Sequence, residues 1–284
     1  MKNLFLLALV LFSFSTMAQT ANNVTTEGEV VYQTTINLHQ QIRGDRAEEI
    51  KKMMPEFQKT KSILYFSPIE MLYHKLKEEA DVKEEDLQQG RGRGFRMRMM
   101  GGSADDRFYT DIDDETVAEK IDFMGKTFLI EGDMKLRQWK LTGEQKTILG
   151  YVCQRAELVI KIDTTAKKQE EGRGRRRGPR APKAITAWFT TQIPVAGGPR
   201  NYHQLPGMVL EVNIDNGNQI ILAESVNLKN LEEKTITKPT DGKKVTREEY
   251  KKIQKEKMAE MRKEYGGKGK GNRGGGGKRI IIQN

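Results

Sequence analysis

The chain has 284 residues, of which 36% are hydrophobic and 31% charged, with a formal net charge of +10 and a single cysteine. This length suits one or two domains, and the charged share implies that part of the chain stays solvated. Cys153 stands alone, which excludes an intramolecular disulfide framework and leaves stability to packing.

Residues 1–18 read as a secretory signal peptide. Lys2 supplies a positive start, Leu4 to Phe14 an apolar run, and Thr16-Met17-Ala18 a cleavage site with small residues where a signal peptidase reads them. The run is shorter than the ~20 residues a membrane helix needs. An exported protein is expected, placed in the periplasm, at the outer membrane or outside the cell.

Residues 19–231 read as a β-rich domain. Period-2 patterning predicts strands near Glu29–Thr35, Ile63–Phe66, Arg107–Ile112, Thr116–Ile121, Thr127–Glu131, Arg137–Leu141, Thr147–Gln154, Glu157–Ile162 and Ile185–Thr190. Glu131-Gly132-Asp133 and Thr142-Gly143-Glu144 read as tight links, so the strands form an antiparallel meander, a half-barrel or a sandwich. The clearest signal is Met208–Ile214, whose apolar residues alternate, followed by Asn216-Gly217 and the apolar stretch from Ile220 to Val226. Asn-Gly between two such runs predicts a type I′ hairpin. Short helices are expected at Arg46–Met54 and Arg247–Glu264, the latter opened by a Thr246/Glu249 capping box. Being polar all round, that second helix reads as a solvated extension within a charged, Gly-rich stretch from 232 to 284.

Basic charge is concentrated outside this pattern. Surpluses of +3 in residues 91–107, +6 in 164–183 and +8 in 232–284 leave the remainder at −7. Gly90–Gly94 and Gly172–Pro179, within insertions near 88–104 and 166–183, are too rich in Gly and Arg to bury apolar surface and are expected to be mobile, like the basic C-terminal tail. With Phe95 the one ring in either Arg-Gly run, nucleic acid is disfavoured against an anionic lipid or a polysaccharide.

Chemical motifs are scarce. The tail Asn272–Arg279 lacks the first Gly and the final Ser or Thr of a phosphate loop. Asp111, Asp113 and Glu115 alternate like a calcium loop, but Thr116 stands where a Gly must turn and Asp122 where a bidentate Glu must close. His39, His74 and His203 have no partner at ligand spacing, and the Met97/Met99/Met100 cluster has no Cys or His beside it, so no metal or cofactor is expected. Cys153 lies in a strand-like run and reads as an inert buried thiol; a Cys153/His203 pair is the hydrolase alternative. Asp163-Thr164-Thr165 resembles an O-glycosylation acceptor of exported Bacteroidetes proteins.

Residues 147–214 carry the one family resemblance. Ile148-Leu149-Gly150-Tyr151 with Cys153 and Ala156, Ala187-Trp188-Phe189-Thr190, Ile193-Pro194, Gly198-Pro199 and Leu205-Pro206-Gly207-Met208-Val209-Leu210-Glu211 together resemble the GLPGLI family of exported Bacteroidetes proteins. The resemblance implies a structural motif, a turn feeding a buried strand, and no reaction, cofactor or catalytic residue. Pro206-Gly207 suits the centre of a type II turn, and Gln204 in place of Gly implies that the first motif position needs no positive φ. The expected function is a non-enzymatic envelope protein. A carrier for a lipophilic ligand is the alternative, since such a meander is also similar in outline to the half-barrels of periplasmic lipoprotein carriers.

Overall fold

The computed structural model describes residues 25–42, 44, 47–76, 103, 105–160 and 183–266. The export segment, Arg91–Met100, Thr164, Gly172–Pro179 and Asn272–Arg279 lie outside the described residues.

The chain is mainly β. Its strands are β1 (Gly28–Asn37), β2 (Phe57–Phe66), β3 (Glu70–Lys75), β4 (Arg107–Asp111), β5 (Thr116–Phe123), β6 (Lys126–Asp133), β7 (Lys140–Ile148), β8 (Tyr151–Ile160), β9 (Lys183–Thr190), β10 (Met208–Ile214), β11 (Gln219–Leu228) and β12 (Lys243–Val245). Helix α1 spans Ala47–Lys52 and α2 spans Arg247–Gly266. All twelve strands join one sheet in the order β12-β6-β5-β4-β3-β2-β1-β11-β10-β9-β8-β7, antiparallel throughout except for β12 beside β6. It is an open sheet and not a two-sheet sandwich.

The sheet is strongly curled. On a flat sheet, four spacings of about 4.8 Å would separate β3 from β10, yet a Cβ placed on Gly197 would lie 2.6 Å from the Met208 side chain and 3.3 Å from Met71 Sδ. Residues 191–207, between β9 and β10, form a strap inside this curl. Ile193, Val195 and Leu205 of the strap are at most 2% exposed and join the main core with Val30, Tyr32, Phe66, Met71, Phe189 and Met208. The Tyr32 hydroxyl donates to Val209 O at 2.6 Å.

Several strand limits differ from expectation for local reasons. Thr142-Gly143-Glu144 is not a link but a bulge inside β7, where the register with β8 shifts between Leu141 and Gln145. The turn lies at Leu149-Gly150, both with positive φ, so Thr147–Gln154 divides between β7 and β8, and the part of the expected Glu157–Ile162 strand within the described residues, Glu157–Ile160, merges into β8. Glu131-Gly132-Asp133 likewise sits inside β6, while Met124-Gly125 makes the turn before it. Asp215 to Asn218 form a four-residue connection, not a two-residue type I′ turn. Asp215, Asn216 and Gly217 all adopt positive φ, and Asn213 Oδ1 accepts from Gly217 N at 2.7 Å.

Helix α2 is a second departure. The Thr246/Glu249 capping box forms, with Glu249 N donating to Thr246 Oγ1 at 3.1 Å and Thr246 N to Glu249 Oε2 at 2.8 Å. The helix is not simply solvated, however. Tyr250 is 5% exposed and packs edge-on against Phe123 and Phe128 on the inner face. Before α2, Ile236 covers Leu72, Tyr109, Ala118 and Leu129, which belong to the outer face. Residues beyond β11 thus cover the outer face of β3–β6 and the inner face of β5–β6.

Candidate functional site

Alternation along the strands decides which side chains face inward. Thr34 faces Thr60 and Ile221, Ser62 faces Lys75, Tyr73 faces Phe108, and Phe108 faces Glu119, so all of these share the inner face. The strap covers the centre of that face and α2 covers the β5–β6 edge. Between them a hollow of about 280 Å³ remains, lined by Thr34, Ile36, Gln58, Thr60, Ser62, Tyr73, Lys75, Asp106, Phe108, Glu119, Ile121, Gln219 and Ile221 from six strands and their edges, and by Arg200 from the strap. The lining mixes hydroxyls, amides, opposite charges and apolar rims.

Its electrostatics are largely fixed by local partners. Arg247 of α2 forms a two-pronged ion pair with Glu119, which holds that carboxylate against the helix. Asp106 accepts from Ser103 N at 3.0 Å and from Asp122 N at 2.9 Å, while burial pushes its carboxyl above the usual range. Burial also raises the Tyr73 hydroxyl, and the neighbouring Ser62 and Thr34 hydroxyls oppose that shift, so three hydroxyls lie near one another on the lining. Arg200 acts on both Tyr73 and Asp106 through its charge. No carboxylate pairs with Arg200 among the described residues.

Arg200 stands on a rigid support. It has φ 53° and lies in a turn in which Tyr202 N donates to Pro199 O at 3.1 Å. A Cβ on Gly198 would come within 2.0 Å of Tyr202 O, so only Gly fits beneath that turn. Pro194 and Pro199 both lie within the strap, and Pro199 is buried.

At the motif residues the turn differs from a type II turn. Gly207 has φ 153° with its N donating to Leu205 O at 2.7 Å, a three-residue turn centred on Pro206. A Cβ there would sit 2.1 Å from Thr190 O, so close approach of β9 is what requires Gly. Gln204 does adopt positive φ, at 72°, contrary to expectation. Its side chain compensates by accepting from Arg137 N at 2.8 Å and donating to Lys135 O at 3.1 Å. Leu210 is fully buried, while on the outer face Glu211 Oε2 accepts from Lys146 Nζ at 2.5 Å, and that ammonium lies 4.3 Å from the Trp188 ring centre.

The other candidates resolve into local roles. Cys153 is fully buried, its Sγ donating to Tyr151 O at 3.5 Å, and burial pushes the thiol up to about 11, far from a nucleophile's range. His203 is 2% exposed, and burial with help from Arg137 lowers it to about 4; no hydrogen bond joins it to Cys153 among the described residues. Asp111 Oδ1 caps its own hairpin by accepting from Asp114 N at 2.9 Å. Asp111, Asp113 and Glu115 form no metal-holding group, nor does any set of three or more His, Cys, Asp or Glu among the described residues. No helix among them is long and apolar enough to cross a membrane.

These features define a curled, open twelve-stranded sheet with an internal strap and a small polar hollow. A family model described as a protein of unknown function (Porph_ging) matches residues 139–211, which run from the start of the β7 hairpin through the strap into β10. Two crystal forms of PNGF-II, in space groups P21 and C2, are similar to this chain with TM-scores of 0.47 and 0.48 and 16% and 15% identity. Each match covers 80% of this chain and 32% of the other, so the chain spans about a third of the length of those proteins. No curated protein matches.

Proposed function

We propose that this chain is an exported, non-enzymatic envelope protein that binds a small polar molecule in the hollow between the strap and α2. The observation that carries this reading is the hollow itself, an inner-face cavity whose lining brings three hydroxyls near one another and whose rim holds Arg200. At about 280 Å³ it lies just under the roughly 300–1,000 Å³ typical of drug-sized sites, which favours a compact ligand. A long acyl chain is less well served, because the strap already fills the centre of the curl with Ile193, Val195 and Leu205.

Export rests on the N-terminal pattern, and placement in the periplasm or at the outer membrane follows from it. The family-model match at 139–211 overlaps the residues that resemble the GLPGLI family and supports that assignment. The inert settings of Cys153 and His203 support binding over hydrolysis.

The test is a thermal-shift screen of the purified mature chain against small sugars, carboxylates and phosphates, repeated on Thr60→Trp, which fills the hollow. Ligands that stabilise the parent and not the variant are the expected result. Stabilisation untouched by Thr60→Trp, or turnover of esters, phosphoesters or glycosides abolished by Cys153→Ala or His203→Ala, would overturn the reading.

A further inference from the structure

We propose that the ligand of the hollow is a small organic anion, a carboxylate or phosphate monoester of about monosaccharide size, and that Arg200 is the residue that grips its charge; this rests on the hollow being a binding site. Charge balance is the first argument. Lys75 and Arg200 are the basic residues on the inner side of the hollow, against two acidic ones, Asp106 and Glu119, whereas Arg107 and Lys120 border it from the opposite face of β4 and β5. Both carboxylates are already engaged: Glu119 by the Arg247 fork, and Asp106 by two backbone N–H groups. Lys120 is engaged as well, by Asp241 at 2.6 Å. Arg200 has no carboxylate partner among the described residues, so its charge is left facing the cavity.

Preorganisation is the second argument. Arg200 is itself exposed at the rim, but the backbone beneath it is held by the Pro199–Tyr202 turn and by the close approach at Gly198, so no loop has to order when a ligand binds. A planar guanidinium presents paired donors that match a carboxylate or phosphate two at a time. Opposite it the hydroxyls of Thr34, Ser62 and Tyr73 offer neutral hydrogen bonds to the rest of a polyhydroxyl body. The site thus fits a molecule anionic at one end and polar along its length.

The experiment is isothermal titration calorimetry on the mature chain with four probes: glucose 6-phosphate, glucuronate, glucose and inorganic phosphate. Glucose 6-phosphate and glucuronate should bind, glucose at least tenfold more weakly than either, and inorganic phosphate more weakly than glucose 6-phosphate. Arg200→Gln should reduce affinity for both organic anions at least tenfold, leave weak glucose binding unchanged and keep the same melting temperature. Phosphatidylglycerol vesicles distinguish the source of the anion: binding to vesicles alone, lost in Arg200→Gln, would keep the anion chemistry and place it on a lipid headgroup. If glucose binds as tightly as the anions, or Arg200→Gln leaves anion affinity intact, the anion inference fails while the binding site stands. If no probe and no vesicle binds, both fail.

Discussion

In the wing formed by β8 to β11, the inner face is covered by the strap that connects two of its own strands, whereas in the wing formed by β3 to β6 both faces of β5 and β6 are covered by residues that arrive after β11. The first wing holds most of the largest core, which continues across β1 to β4, with Cys153, Ala156, Ala187, Phe189, Val209, Leu210 and Val212 at or near zero exposure. The second has two small clusters, one under Ile236 and one under Tyr250. The contrast teaches that a covering element inside a wing can hold its strands to backbone contact, while one added from outside gives thinner layers. The residues matched by the family model, 139–211, coincide with the first arrangement.

The contrast is most easily broken at Gly207. A valine there would meet Thr190 O and adopt a φ that branched residues avoid, so Gly207→Val should cost more than about 3 kcal/mol and lower the melting temperature on the order of 10 °C. A melting temperature within about 2 °C of the parent would show that β9 and β10 do not need their close approach. Next is acid sensitivity of the same wing. His203 is held near 4 in the fold against about 6.5 unfolded, so the unfolded chain takes up the proton first as pH falls. The stability of the neutral ring is complete above about pH 6.5 and is lost as pH drops toward 4, about 3 kcal/mol in all. Chemical denaturation at pH 7 and pH 4 should show this loss, and His203→Gln should flatten it; an unchanged pH slope in the variant would contradict the assignment. The smallest effect belongs to the second wing, where Tyr250→Ala should cost about 2 kcal/mol, since α2 covers one edge and not a closed core. Hydrogen exchange should then rise in β5 and β6 and not in β9 or β10.

Much of the fold was legible because alternation and turn residues coincide in the half-buried strands. β10 matches its sequence limits at Met208–Ile214 since its inner residues are apolar and Glu211 and Asn213 face out. β3 escaped notice because Met71 and Tyr73 are buried on one face and Leu72 on the other, under Ile236, which removes the alternation. β7 was misread because a bulge at Gly143 resembles a turn in sequence. Gln204 shows a different limit, for its positive φ is supported by hydrogen bonds to Lys135 and Arg137 that no local pattern announces. The hollow was not legible at all, since its lining comes from Thr34 at one end of the chain to Ile221 near the other. Arg200 alone had a signal, a cation directly after the Gly198-Pro199 pair that marks the strap's turn.

The central ladder has a consequence in time. β1 lies between β2 and β11, and its first residue pairs with Leu228, so the middle of the sheet joins the two ends of the β region. No local hairpin can complete it. Folding must wait until β11 has been delivered, which makes the reaction slow and its contacts long-range. Until then β1 offers an open edge to any other strand.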